Sequence, residues 1–336
     1  MFTVITLKDI AKEAGVSVMT VSRVVNGHLS KVSEENTRRI QGIIQRENYV
    51  PNSSARSLSS KNSHIISLII RGLGNQLTNP YNAAMAGEII SYVQEQGYYP
   101  MLHFIDKYDD ITQRLRAWNA EGSIFLGTFD EDIERIMFDN RIPLVFTDSY
   151  SKVRQVTNVG IDDYKGGTLA ARYFIEHGHK HFLYLGFSMT SSVVENRLNG
   201  FRDTLKAAGF MLPASHVLEM GNSMEEIAAQ ISQLEPKPTA IFTSADILAI
   251  TLINALKHLG HPVPEDYSVI GFDDLAMGHL ITPPLTTVVQ DIPRKARIAA
   301  NLLFRHINDP TAPAENITLD VQLIVRDSVY DLRRKA

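Results

Sequence analysis

The 336-residue sequence predicts two kinds of fold in one chain: an N-terminal three-helix domain with a hinge helix, followed by an α/β core of two doubly wound lobes. Three observations predict it. Apolar residues recur at helical spacing through the first fifty residues, in three blocks separated by glycine or serine signals. Residues 51–63, PNSSARSLSSKNS, are rich in side chains that compete with helical hydrogen bonds. Beyond them, short continuous apolar runs alternate with helix-like segments, the pattern of parallel strands covered on both faces.

The first helix places Leu7, Ile10, Ala11 and Ala14 on one side, with Thr6 as N-cap and Gly15 as the left-handed residue that closes it. Ser17 caps a second helix with the apolar stripe Val18, Val21, Val24 and Val25, ending at Asn26-Gly27. A third opens at Ser33, with Glu34 and Glu35 in its positive first turn and Ile40, Ile43, Ile44 and Tyr49 facing inward. Two short helices joined by a three- or four-residue turn containing glycine are the sequence form of a DNA-binding helix-turn-helix. The 51–63 linker holds a latent element, since Ala55, Arg56, Ser57 and Leu58 can form a short helix if something supports it.

In the core, strands are expected at 65–70, 101–105, 123–126, 144–146, 182–187, 240–243 and 268–272. Helices are expected at 83–96, 109–120, 131–139, 165–177, 196–208, 224–233, 247–259 and 294–307. That is too many units for one small sheet, so two lobes are predicted, dividing near residues 159–163. Ligands of such sheets bind beyond the C-terminal strand ends.

Composition narrows the function. No cysteine is present, which excludes disulfides, thiolate metal sites and cysteine nucleophiles together. No apolar run reaches about eighteen residues and none resembles a signal peptide, so a cytoplasmic, nucleoid-associated protein without a membrane span is expected. The net charge of −4 divides unevenly: residues 1–61 hold nine Lys or Arg against five acids, leaving the remainder eight units negative. A basic head on an acidic body fits a DNA-binding end. An enzyme is disfavoured. Gly72-Leu73-Gly74 follows a strand, but Leu77 stands where the third glycine of a dinucleotide fingerprint belongs. His177, His179 and His181 are spaced like metal ligands yet read better as cover for the turn into the strand at 182. No metal and no cofactor is expected.

The block TLKDIAKEAGVSVMTVSRVVNG at 6–27, NYVPN after the third helix and A-R-S-L at 55–58 closely resemble the lac-repressor (LacI/GalR) family of bacterial regulators. NPYNAAMAGEI (79–89), EGSIFLGT (121–128), ENRLNGFRDTL (195–205), VIGFDD (269–274) and PPLTTVVQD (283–291) extend the resemblance over the whole chain. It implies a helix-turn-helix domain at 1–50, a hinge at 51–63 and a core at 64–336 similar to periplasmic sugar-binding proteins. Its first lobe would span about 64–160 and 291–319, its second about 161–290 and 320–336. The implied protein is a homodimer that reads a near-palindromic double-stranded operator, by default as a repressor, under a small effector held between the lobes. A sugar is the expected class and a nucleoside or purine the alternative; a binding protein with no role on DNA is the remote one.

The resemblance also assigns residues. On the recognition helix, Arg23 can pair bidentately with a guanine, worth about 1–3 kcal/mol of discrimination. Val18 and Met19 can meet thymine methyls, although Val18 also fits the core. Ser17, Thr20, Ser22 and Asn26 suit phosphates, which set register. Leu58 corresponds to the family's minor-groove wedge, and Ala55 lets paired hinge helices approach. Effector contacts carried over are Tyr81, Asn82, Phe129 and Asp148 in the first lobe and Arg197, Asp246 and Asp273 in the second. Two carboxylates with an arginine between them accept paired hydroxyls and repel anions. Asn82, Ser223 and Ala245 depart from residues common in family members that bind sugars.

Overall fold

The structure, a computed structural model, describes residues 5–49, 63–106, 108–117, 119–127, 132–149, 155–221 and 223–335. The chain divides into two units, Met1–Ser63 and His64–Ala336.

In the first unit, helices α1 (Leu7–Ala14), α2 (Val18–Val25) and α3 (Glu34–Arg46) close on a small core of Ile10, Ala11, Ala14, Val21, Val24, Ile40 and Ile43. Local signals set each boundary. Thr6 and Asp9 form a reciprocal capping box, Gly15 closes α1 at φ 65°, and Ser17 and Ser33 cap α2 and α3. Ile44 and Tyr49 pack at the edge of this core. With so few large aliphatics, each worth about 1.5–3 kcal/mol on burial, the caps are a substantial share of what holds this unit together.

The second unit contains two 6-stranded sheets. The first consists of β1 (Ile65–Arg71), β2 (Tyr99–Ile105), β3 (Gly122–Leu126), β4 (Leu144–Thr147), β5 (Asn158–Ile161) and β11 (Asn316–Leu319), ordered β11-β5-β4-β3-β1-β2 and parallel throughout. The second consists of β6 (Phe182–Gly186), β7 (Val217–Glu219), β8 (Ala240–Thr243), β9 (Ser268–Asp273), β10 (Thr286–Val289) and β12 (Gln322–Ile324). Its order is β12-β10-β9-β8-β6-β7, parallel except for β12. The central strands β3, β6 and β9 are buried at every position, as covered parallel strands must be.

Helices α4 (Pro80–Glu95), α5 (Tyr108–Ala117) and α6 (Ile133–Asp139) serve the first sheet. Helices α7 (Asp163–Glu176), α8 (Ser192–Ala207), α9 (Met224–Ser232), α10 (Asp246–His258) and α11 (Ala276–Leu280) serve the second. The long α12 (Ile292–Asn308) returns to the first, packing on α4, β3, β4 and β5. The chain thus passes between lobes after β5, after β10 and after β11.

The expected α/β architecture is the one found, with two kinds of difference. Strands β5, β7, β10, β11 and β12 are not predicted, because none holds more than two consecutive apolar residues, whereas the equally short β4 (LVFT) and β8 (AIFT) each hold three; β5, NVGI, also carries two poor strand formers. Helices α4, α7, α8 and α12 begin two to four residues before the apolar periodicity does. The first turns of α4 and α12 contain proline and that of α7 is polar, with Asn79, Asp162 and Asp291 capping α4, α7 and α12; α8 opens on Ser192-Val193-Val194, ahead of the ENRLNG segment.

Candidate functional sites

Helix α2 spends Val21 and Val24 on the core and turns its other side to solvent. Val18 is 41% exposed and Met19 64%, so Val18 leaves the buried stripe that the sequence pattern drew through it. Arg23 lies one turn on, its Nη2 3.5 Å from the Met19 sulfur. Ser17 Oγ accepts from the Thr20 amide at 3.2 Å and shares a 2.9 Å hydrogen bond with the Thr20 hydroxyl. Asn26 Nδ2 donates to Ser22 Oγ at 3.2 Å. The polar residues of this helix are therefore mutually paired, while the exposed apolar tips of Val18 and Met19 and the Arg23 guanidinium stand beside them. Ala55 and Leu58 lie outside the described residues, as does Phe129.

In the core, the C-terminal strand ends of both sheets face one inter-lobe cluster. Asp148, just after β4, has φ 56°, and Asp273, closing β9, has φ 119°. Such left-handed conformations cost a non-glycine residue about 1–3 kcal/mol and gather at binding sites. Tyr81, in the first turn of α4, donates its hydroxyl to Asp148 Oδ2 at 3.0 Å. Lys295, from the first turns of α12, points its ammonium at the same pair: 2.7 Å to Asp148 Oδ1 and 2.9 Å to the Tyr81 hydroxyl. In the second lobe Arg197 donates through Nε to Asp163 Oδ1 at 2.8 Å and through Nη1 to the Ser244 carbonyl. Its guanidinium carbon sits 3.5 Å over the Phe272 ring. Asp273 Oδ1 is 3.9 Å from Arg197 Nη1 and accepts from Gln290 Nε2 at 2.6 Å.

Backbone packing fixes Arg197. Helices α7 and α8 touch at two glycines: a Cβ on Gly167 would lie 2.0 Å from the Arg197 carbonyl oxygen, and one on Gly200 1.9 Å from that of Tyr164. Only hydrogen fits at either place, so α8 lies against α7 and brings Arg197 within reach of Asp163.

Burial dominates the electrostatics. It pushes the Asp273 carboxyl up to about 6 against the opposing pull of Arg197, and raises Asp163 as well despite the same guanidinium. The Tyr81 phenol is pushed well above its ordinary value by burial and then by the Asp148 charge. A cavity of about 610 Å³ opens beside the cluster, walled by Ala84 and Glu88 of α4, by Asp273 and Asp274, and by Gln290 of the crossing segment. Tyr81, Asp148 and Arg197 are not among its lining residues.

Of the residues assigned from the sequence, Tyr81, Asp148, Arg197 and Asp273 come together. Asn82 does not join them: its amide donates to the Gln76 carbonyl at 3.2 Å. Asp246 is fully buried, with its oxygens engaged by the Leu275 amide at 2.7 Å and the Thr287 hydroxyl at 2.6 Å. Burial and then the Asp273 charge raise its carboxyl well above the usual range. Sequence reasoning missed Lys295, Gln290 and Asp163. Gln290 had only the PPLTTVVQD motif as a signal, since the strand it follows, β10, is not predicted from the sequence. Asp163 looks like an ordinary first-turn acid, and Lys295 like a solvated helix residue.

The histidine triplet also separates. His179 shares hydrogen bonds with the Thr239 hydroxyl at 2.9 Å and the Tyr330 carbonyl at 3.1 Å, and burial holds its imidazole down at about 4. His177 is bonded to the Tyr173 carbonyl at 2.7 Å. No group of three potential metal ligands occurs among the described residues.

Comparison with known proteins agrees in both units. The model for bacterial regulatory proteins of the lacI family matches residues 6–52, and that for a periplasmic binding protein-like domain matches residues 171–329. The chain is 30% identical over 334 residues to the HTH-type transcriptional repressor PurR of Mannheimia succiniciproducens, covering 96% of this chain and 98% of the relative. The lac repressor dimer bound to operator and the anti-inducer ONPF has the same fold, with TM-score 0.86 at 24% identity over 98% of this chain and all of that one. The transcriptional regulator CelR, solved as a cellobiose complex, matches with TM-score 0.72 at 26% identity, covering 96% of this chain and 99% of its own. With a helix-turn-helix head, a two-lobed core and full-length relatives of one kind, the chain belongs to the LacI family of bacterial DNA-binding transcriptional regulators.

Proposed function

We propose that this regulator is a dimeric repressor that reads a near-palindromic operator through α2, and that a small neutral sugar held between the lobes sets its operator affinity. The observation that carries the DNA half is the solvent face of α2, where Val18, Met19 and Arg23 are presented by a helix whose other valines are committed to the core. Arg23 would pair with guanine, Met19 and Val18 would meet thymine methyls, and Ser17, Thr20, Ser22 and Asn26 would exchange their mutual hydrogen bonds for phosphates. Ala55 and Leu58 would act in the hinge, Leu58 as a minor-groove wedge. The protein would work in the cytoplasm, on the nucleoid.

The charge balance of the cleft supports the ligand class. Asp148 is neutralised by Lys295 and Asp163 by Arg197, leaving Asp273 with an amide donor and a guanidinium at 3.9 Å. A ligand hydroxyl donating to Asp273 satisfies that carboxylate, whereas an anionic ligand meets it as a like charge. The relative CelR is solved with cellobiose, a neutral sugar. We read the cluster as binding rather than catalytic machinery, because two of its carboxylates are held in ion pairs with buried cations, Asp148 with Lys295 and Asp163 with Arg197.

Two measurements test the two halves. Selection from random duplexes should enrich a sequence with two-fold symmetry, and recovery of no preferred sequence would overturn operator reading. Thermal melting against neutral sugars, amino sugars, uronates and nucleosides should show stabilisation by a neutral sugar, by about 2.7 kcal/mol at a hundredfold excess over Kd. Stabilisation by nucleosides alone would replace the sugar with the other ligand class.

A further inference from the structure

Lys295 is 1% exposed, and a lysine is almost never buried so deeply without partners. Its ammonium has three protons and meets three acceptors: the Asp148 carboxylate, the Tyr81 hydroxyl at 2.9 Å and Gln290 Oε1 at 3.1 Å. The first two belong to the first lobe, to which α12 also belongs by packing. The third does not. Gln290 follows β10 of the second sheet, and its Nε2 donates to Asp273 Oδ1 at 2.6 Å. The amide has one workable orientation, since flipping it would set NH2 against the ammonium and the carbonyl against the carboxylate. A continuous polar path therefore runs Tyr81–Asp148–Lys295–Gln290–Asp273–Arg197–Asp163, from one lobe to the other, with Gln290 as the link at the crossing.

We propose that Lys295 is a positioning residue that sets the binding groups of the two lobes as one unit, orienting Asp148 and Tyr81 directly and Asp273 through the Gln290 amide. A methionine-length apolar side chain would serve if the site needed volume alone. A cation with three donors also fixes which lone pairs of Asp148, Tyr81 and Gln290 are used, and so which remain for a ligand. Motion of one lobe against the other must stretch the Lys295–Gln290–Asp273 segment, so this segment is where a ligand's preference for one lobe arrangement is felt. That functional meaning rests on the cleft being the ligand site; the coupling itself does not.

Melting of the full-length protein without added ligand tests the coupling. Lys295→Met leaves Asp148 buried with a lost counterion and should lower Tm by about 6 °C or more, as breaking a buried pair by removing one partner does. The paired variant Lys295→Met with Asp148→Asn removes both charges and should recover at least half of that loss. Recovery is expected of any buried pair, so the deciding measurement lies across the cleft. The Tm shift caused by Asp273→Asn should differ by about 2 °C or more between wild type and the paired variant, and the difference should vanish when Gln290→Ala is present in both. An equal Asp273→Asn shift in both backgrounds would overturn the proposal and reduce Lys295 to a counterion of the first lobe. A difference that survives Gln290→Ala would overturn the route through the amide. No ligand enters this experiment, so its failure is distinct from failure to find a sugar that binds.

Discussion

The outward face of α2 and the inter-lobe cluster are both rich in polar side chains, yet they are built on opposite principles. On α2 the polar groups are at least partly exposed and held by local hydrogen bonds such as Ser17–Thr20 and Asn26–Ser22, and apart from the Ser17 cap none of them belongs to the packed core of the head. In the cleft, Asp148, Asp163, Arg197, Asp273 and Lys295 are buried and paired, some on backbone conformations that other residues avoid. A surface that meets a large polyanion can leave its side chains to water until the partner arrives. A pocket for a small ligand must be preorganised, and preorganisation of charge is costly in stability. Substitutions on the outward face of α2, the Ser17 cap aside, should therefore alter function at little cost in folding, whereas substitutions in the cleft alter both.

Glycine-to-alanine changes give the largest contrast, with opposite signs. Gly200→Ala would place a methyl 1.9 Å from the Tyr164 carbonyl oxygen, where only backbone could yield, and α7 would separate from α8. A loss of about 4 kcal/mol or more is expected in the core transition, with Arg197 displaced from Asp163. Gly42 lies within α3, and a Cβ there meets nothing within 4 Å. Gly42→Ala should stabilise the head by about 0.5–1 kcal/mol, because glycine is the poorer helix former. Denaturant melts that resolve the two units read both; a neutral Gly200→Ala would mean that the helices are not in backbone contact.

His179 gives the next largest effect. Its folded-state value of about 4 lies below the ordinary 6.5, so the unfolded chain binds the proton more readily. This residue's contribution is thus fully present above about pH 6.5 and is lost as pH falls towards 4, by about 2 kcal/mol at pH 5. Asp273, raised to about 6, works in the other direction, adding stability as pH falls through that range. Comparing His179→Gln with wild type at pH 7.5 and pH 5 isolates the imidazole: the variant should lose about 2 kcal/mol less on acidification. Equal losses would show that His179 is protonated in the fold.

The same contrast explains how much the sequence revealed. The head is written in local terms: Thr6, Ser17 and Ser33 cap, Gly15 stops, and the apolar spacing gives the period, so its helices could be placed to within a residue or two. The sheets could be named but not completed, since β5, β7, β10, β11 and β12 carry too few consecutive apolar residues for a pattern and are held by neighbours distant in sequence. In the cleft, Tyr81, Asp148, Arg197 and Asp273 were reached through motifs at strand ends and helix starts. Lys295 was not, because PRKARIAANLL reads as an amphipathic helix with its lysine in water. Its burial follows from a crossing that sends α12 back across the first sheet, which no local pattern records. Asp246 errs in the other direction: the sequence shows an acid at a helix start, while the fold closes over it and engages both oxygens within the second lobe.

The smallest effect on folding is expected at Arg23, and there the comparison is sharpest. Its guanidinium has the Met19 sulfur as a neighbour and no ion pair among the described residues, and Arg23 is neither in the head core nor at a cap. Arg23→Ala should thus change the stability of the head by no more than about 0.5 kcal/mol, the usual range for a surface substitution. On DNA the same change removes a bidentate donor that can tell guanine from the other bases in the major groove, worth about 1–3 kcal/mol. The wild-type preference at one operator position should fall by roughly tenfold or more, while binding to unrelated duplexes, which rests on phosphate contacts, should fall only slightly and keep most of its salt dependence. Titrating the operator and its single-base variants at two salt concentrations separates these terms. If Arg23→Ala weakened all sequences equally and made binding less salt-dependent, Arg23 would be a phosphate contact, and base reading on α2 would fall to Met19 and Val18 alone.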